Sequence, residues 1–206
     1  MAEASLDSSR PRRTQAERSA DTRGRLLDAT IESLVEEGAA GATTARIEQR
    51  AGVSRGARLH HFPTKAALVA SAVQYLSERI AEDYARAMEQ MGDGADRFSQ
   101  GYRLLWEVYS SPAYAAVIEL FVAARTDPEL REALREGSAG QHKETRQRAN
   151  AYFPDLATRE ADGLLELLQA AMVGLAVRRM VHDGAGAEVQ VLDLLERVVD
   201  ETFLTR

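Results

Sequence analysis

Apolar residues in this chain recur every three or four positions almost from end to end, and no run alternates apolar with polar. That period belongs to helices burying one face, and it excludes a sheet as the main architecture. From Asp21 onward Leu27, Ile31, Leu34 and Val35 set the pattern, and Gly38 supplies a helix stop before the small-residue loop Ala39 to Ala42. Two short helical units follow between Thr43 and His61. Thr64 then caps a long helix with Leu68, Ala72, Tyr75, Ile80, Tyr84 and Met88 on one stripe, ending at Gly92-Asp93-Gly94. Further stripes (Phe98, Tyr102, Leu105, Tyr109; then Val117, Ile118, Phe121, Val122) close at Ser111-Pro112 and Asp127-Pro128. A polar helix is expected from Pro128 to about Ala151, with Gly137 and Gly140 as points of interruption. An almost wholly apolar helix is expected over 158–182 and a last one over 187–204. The predicted fold is all-α, a three-helix head followed by a helical bundle.

The segment with the most chemistry runs from Thr43 to Phe62. A helix of about two turns, a tight turn and a second short helix make a helix-turn-helix. Thr43 or Thr44 can cap the first helix, where a hydroxyl and free N–H groups suit a phosphate oxygen. Ile47 and Ala51 share the inner face, Gly52 provides the positive φ that reverses the chain, and Val53 fills the elbow. Ser54 caps the second helix, so that Arg55, Gly56, Ala57 and Arg58 lie on its first turn. Arginine pairs two donors with guanine O6 and N7 in the major groove, and glycine and alanine permit close approach.

Charge supports a local encounter with nucleic acid. The chain has a net charge of −6, yet residues 1–65 hold 11 Lys and Arg against 9 Asp and Glu, and residues 66–206 hold 15 against 23. A basic head on an acidic body meets phosphate because salt screens charges more than about 8–10 Å away. Residues 1–18 are polar, without apolar period, and carry Arg10, Arg12, Arg13 and Arg18. They read as a flexible arm or a solvated tail.

Thr43, Thr44, Ile47, Ala51, Gly52, Val53, Ser54, Gly56, His61, Phe62 and Lys65 fall, in register and without gaps, on a motif that resembles the signature of the TetR family of transcriptional regulators. The resemblance implies a DNA-binding domain over 19–65 and a ligand-binding and dimerisation domain over 66–206. It implies a regulator, with repression the expected sense, that binds a palindromic operator on double-stranded DNA as a homodimer and is released by a small-molecule effector. The DNA-contacting set it implies is Thr43, Thr44, Arg46, Ser54, Arg55, Gly56, Ala57, Arg58, His60, His61 and Lys65. Three positions depart from the family pattern. Glu48 stands where many members have a small residue, and Arg58 and Leu59 stand where a Leu-Tyr pair is usual. The expectation drawn from this exchange is that Leu59 supplies the packing and Arg58 turns to DNA. His60 and His61 are adjacent, pointing about 100° apart on a helix, so they do not read as metal ligands.

In the body, the two terminal helices over about 158–204 are apolar on wide faces and read as a four-helix dimer interface with a symmetry mate. Tyr102, Trp106, Tyr109, Phe121, Arg125, His142 and Met172 are the candidates for lining an effector pocket, and the effector they suggest is apolar or aromatic. No cofactor and no metal are expected. Cysteine is absent, which excludes disulfides, thiolate zinc sites and a cysteine nucleophile. No stretch reaches the roughly 18 apolar residues of a membrane span. Met1 to Asp7 lack the basic and apolar regions of an export signal, so a cytoplasmic protein without a membrane partner is expected. No nucleophile motif or phosphate loop marks an enzyme. A DNA-organising protein without an effector, and a helical interaction module without nucleic acid, remain as alternatives.

Overall fold

A computed structural model describes residues 14–91, 97–153, 161–182, 185–199 and 201. Their secondary structure is helical: α1 (Gln15–Gly41), α2 (Thr44–Ala51), α3 (Arg55–His61), α4 (Lys65–Gln90), α5 (Arg97–Tyr109), α6 (Pro112–Ala124), α7 (Pro128–Ser138), α8 (Gln141–Tyr152), α9 (Ala161–Arg179) and α10 (Ala185–Val199). Most of the expected arm, including Arg10, Arg12 and Arg13, lies outside the described residues. Its last part is helix, because Thr14 accepts from the Glu17 N–H while the Glu17 side chain caps Thr14, a reciprocal pair that starts α1 well before Asp21.

Gly38 has the positive φ expected of it, 70°, with ψ at 176°. It kinks α1, and the chain runs on helically to Gly41. The polar stretch after Pro128 is two helices, parted at Gly140 with φ 109°, while Gly137 sits inside α7.

Three apolar clusters hold the described chain together. The first joins Leu26, Leu27 and Ala29 of α1 to Ile47 and Ala51 of α2, Phe62, and Leu68 and Ala72 of α4. The head core therefore continues past Lys65 into the long helix. The second joins α1, α4, α6 and α7 through Leu34, Val69, Ala70, Leu120, Leu130 and Leu134. The third belongs to the body and packs Phe98 and Tyr102 of α5 against Leu164, Leu168, Met172 and Leu175 of α9 and Leu192 and Val199 of α10. Val35, expected on the buried stripe of α1, is exposed instead, as are Phe121 and Val122 on α6. Among the described residues no helix is long and apolar enough to cross a membrane.

Candidate nucleic-acid interface and effector cavity

The helix-turn-helix is built from caps. Thr43 accepts from the Arg46 N–H at 3.4 Å and Ser54 from the Ala57 N–H at 3.2 Å, starting α2 and α3. Between them Gly52 takes φ 61° and ψ 39°, a left-handed turn, and the Arg25 guanidinium of α1 donates to the carbonyls of Ala51 and Gly52 that end α2. The positive φ favours glycine at position 52, and a Cβ there would also lie 2.8 Å from the tip of the Arg25 side chain, which would have to shift. Arg25 is thus a structural clamp. Arg23 lies over the Phe62 ring at 4.9 Å.

The face of α3 is where sequence and structure part. Arg58, expected to turn to DNA, is only 6% exposed. Its Nε donates to Glu48 at 3.0 Å, and its Nη1 donates to the carbonyls of Phe62 at 3.1 Å and Pro63 at 3.4 Å. The two departures, Glu48 and Arg58, are one feature: a sequestered ion pair between α2 and α3 that also caps the end of α3. Leu59, expected to pack inside, is 42% exposed. The physical reason is partnership. A guanidinium can be buried where a carboxylate and two otherwise unpaired carbonyls await it, and the helical turn then carries the next residue outward.

Arg55, Gly56, Leu59 and His60 form the exposed face of α3, with Ala57 and His61 half-buried at its flank. Thr43, Arg46, Ser54 and Lys65 are exposed beside it and Thr44 is half-buried. Arg46 pairs with Glu37, and Arg50 with Glu36 and Glu32 at the end of α1, while the Lys65 ammonium donates to the Ala39 carbonyl at 3.2 Å. The Arg50 guanidinium beside it holds the Glu36 carboxyl below its ordinary range. Burial, helped by His60 and Arg23, lowers the His61 pKa, which keeps its imidazole neutral at pH 7. No group of three His, Cys, Asp or Glu among the described residues could hold a metal.

Beyond the head lies a cavity of about 450 Å³ between α4, α5, α6, α7, α8 and α9. Of the expected pocket residues, Tyr102, Tyr109 and Phe121 line it. Trp106 packs at the edge of the body core, Met172 is buried within that core, and Arg125 is exposed at the end of α6; none of these three reaches the cavity. The His142 side chain lies outside the described residues. Sequence reasoning missed Tyr84, Leu134 and Arg148, which also line the cavity. Tyr84 was readable only as core, because its place on the α4 stripe is equally that of a packed residue. Burial raises the pKa of Tyr84, Tyr109 and Tyr114, so their hydroxyls are neutral donors. Among the described residues the charged lining residues are Glu78, Glu144 and Arg148, the last two 4.0 Å apart and well exposed. The other described lining residues are apolar or neutral.

Residues 26–72 match the family described as bacterial regulatory proteins, tetR family. Over 179 residues the chain is 33% identical to the HTH-type transcriptional regulator CymR of Pseudomonas putida, covering 82% of this chain and 84% of that one. A transcriptional regulator from Streptomyces coelicolor A3(2) shares the fold with a TM-score of 0.64 at 23% identity, over 86% of this chain and 98% of that one. So does a transcriptional regulator from Saccharomonospora viridis solved in complex with choline, with a TM-score of 0.66 at 14% identity over 89% and 98%. With a helix-turn-helix at this position and a helical bundle behind it, the chain belongs to the TetR family of helix-turn-helix transcriptional regulators.

Proposed function

We propose that the protein is a cytoplasmic repressor that binds a palindromic operator as a homodimer and leaves it when an apolar or aromatic small molecule fills the cavity. The observation that carries this reading is the double use of α4. Its first turns complete the head core with Leu68 and Ala72, and its later turns wall the cavity with Val73, Leu76, Ile80 and Tyr84. An occupant that shifts α4 has to disturb the packing of the head. In the proposed complex Arg55, Gly56, Ala57 and His60 enter the major groove, and Thr43, Thr44, Arg46, Ser54, His61 and Lys65 approach the phosphates. Residues 19–65 are the proposed reading unit and 66–206 the sensing and dimerising one.

Two copies are required because one short helix reaches few base edges, whereas a twofold pair doubles the contacts and fixes the half-site spacing. The apolar surface that supports a dimer is on α9 and α10, where Leu167, Val177, Val189 and Leu194 stand exposed. For the effector, the neutral tyrosine hydroxyls and apolar walls favour a molecule with few charges, held by Tyr109, Tyr114 and Phe121. The S. viridis neighbour, which holds choline, supports a ligand-binding role for this bundle. The cavity favours an effector-responsive regulator over a DNA-organising protein without an effector.

Selection of binding duplexes from a random pool tests the reading. The expected outcome is a twofold-symmetric consensus bound by two chains, with affinity falling steeply as salt rises. A bound effector should weaken that affinity by about 5–150-fold, the range of typical site-to-site coupling. Failure to enrich any duplex at low ionic strength would overturn the proposal.

A further inference from the structure

We infer that Leu59 is a specificity-determining residue that reads the methyl group of a thymine in each half-site of the operator. The inference rests on the proposed docking of α3 in the major groove. The register of α3 is locked by Arg58, whose three hydrogen bonds to Glu48, Phe62 and Pro63 hold that position inward. Leu59 is rotated about 100° from it, onto the open side. It stands four residues after Arg55, one turn further along the same surface. Between them Gly56 leaves a gap, since a Cβ there would meet nothing within 4 Å. The backbone can therefore come close to base edges, with Leu59 projecting beside it.

Within residues 43–65 Leu59 is the one large apolar side chain left exposed, while Ile47 and Phe62 are buried and Val53 packs against them. An aliphatic side chain has nothing to offer a phosphate oxygen, so the polar backbone of the duplex does not explain its place. The major groove presents one apolar group, the C5-methyl of thymine. Arg55, one turn earlier, carries the donors that suit guanine O6 and N7. The two side chains together call for a thymine close to a guanine in each half-site.

The test uses the full-length protein and the duplex selected above. Each thymine is replaced in turn by deoxyuridine, which removes only the methyl group. At one thymine per half-site this exchange should weaken wild-type binding by about fourfold, the equivalent of one buried methyl. Leu59→Ala should bind the thymine duplex more weakly by at least that factor and be indifferent to the exchange. Its salt dependence and melting temperature should be those of wild type, since no phosphate contact and no core residue is touched. A selected consensus without thymine, a wild-type protein insensitive to every uracil, or a Leu59→Ala protein that keeps the wild-type sensitivity each overturns the inference and leaves α3 as the reading helix. If no duplex is enriched at all, the DNA-binding reading falls with it.

Discussion

Glu48 and Arg58 neutralise each other across the turn of the helix-turn-helix, with side chains 15% and 7% exposed. Withdrawing two charges from water is tolerable only while they face each other. Arg58→Leu alone should therefore destabilise the protein by about 3–5 kcal/mol, and adding Glu48→Ala should recover most of that loss. Urea denaturation of the single and double variants measures the coupling, and additive losses would show that the pair does not act as a unit. Gly38 is a second sensitive position. Its φ of 70° with ψ near 176° is open essentially to glycine alone, and a Cβ would come within 3.0 Å of the Glu119 carboxylate. Gly38→Ala should cost about 1–3 kcal/mol, read as a lower denaturation midpoint. Gly38, Gly52 and Ser54 were legible in the sequence because turn and cap chemistry is local. The direction of Arg58 was not, because it depends on a carboxylate ten residues away. That both departures fell within one motif was the available clue.

At the level of elements, α6 lies between the cavity and α1. Tyr114, Val117 and Phe121 face the cavity, while Glu119, from the other side of the same helix, accepts from the Ala39 N–H at 3.1 Å. Lys65 holds the carbonyl of the same residue, so one residue after the kink is gripped from α6 and from α4. This arrangement predicts that Glu119→Ala weakens the response of DNA binding to an occupied cavity. Because the chain has no cysteine, Ala81→Cys on the cavity wall can be labelled alone with a bimane as an occupant. Labelling should lower operator affinity by about fivefold or more, and by clearly less in the Glu119→Ala background. Equal effects in both would remove Glu119 from the coupling. Helix order was readable from periodicity and cap signals, but the polar stretch after Pro128, expected as one helix with interruption points at Gly137 and Gly140, is two helices. The start of α1 was missed because residues 15–25 carry no apolar stripe, although the Thr14-to-Glu17 spacing announced a cap. The cavity set was only partly readable, because an aromatic at helical spacing has the same pattern whether it lines a void or fills it. Trp106 and Met172 fill.

For the whole molecule, the exposed apolar side chains of α9 and α10 predict association. Leu194 is 51% exposed, so Leu194→Glu should leave the fold of one chain intact while placing a charge in the proposed interface. Light scattering should report a monomer with a wild-type helical signal, and operator binding should fall by at least tenfold because half-sites are then bound singly. A dimer that persists would place the interface elsewhere. The sharing of α4 has a separate consequence, for dissection by truncation. Leu68 and Ala72, both 0% exposed, roof the cluster beneath α1, α2 and Phe62. A fragment ending at Lys65 would leave Leu26 and Ile47 facing water, and such a small piece has little reserve to absorb the loss. It should show weak helical circular dichroism and no cooperative melt, whereas a fragment carried to Gln90 regains the missing roof. The prediction is that the DNA-reading part of this protein cannot be lifted out as a folding unit at the end of its own motif.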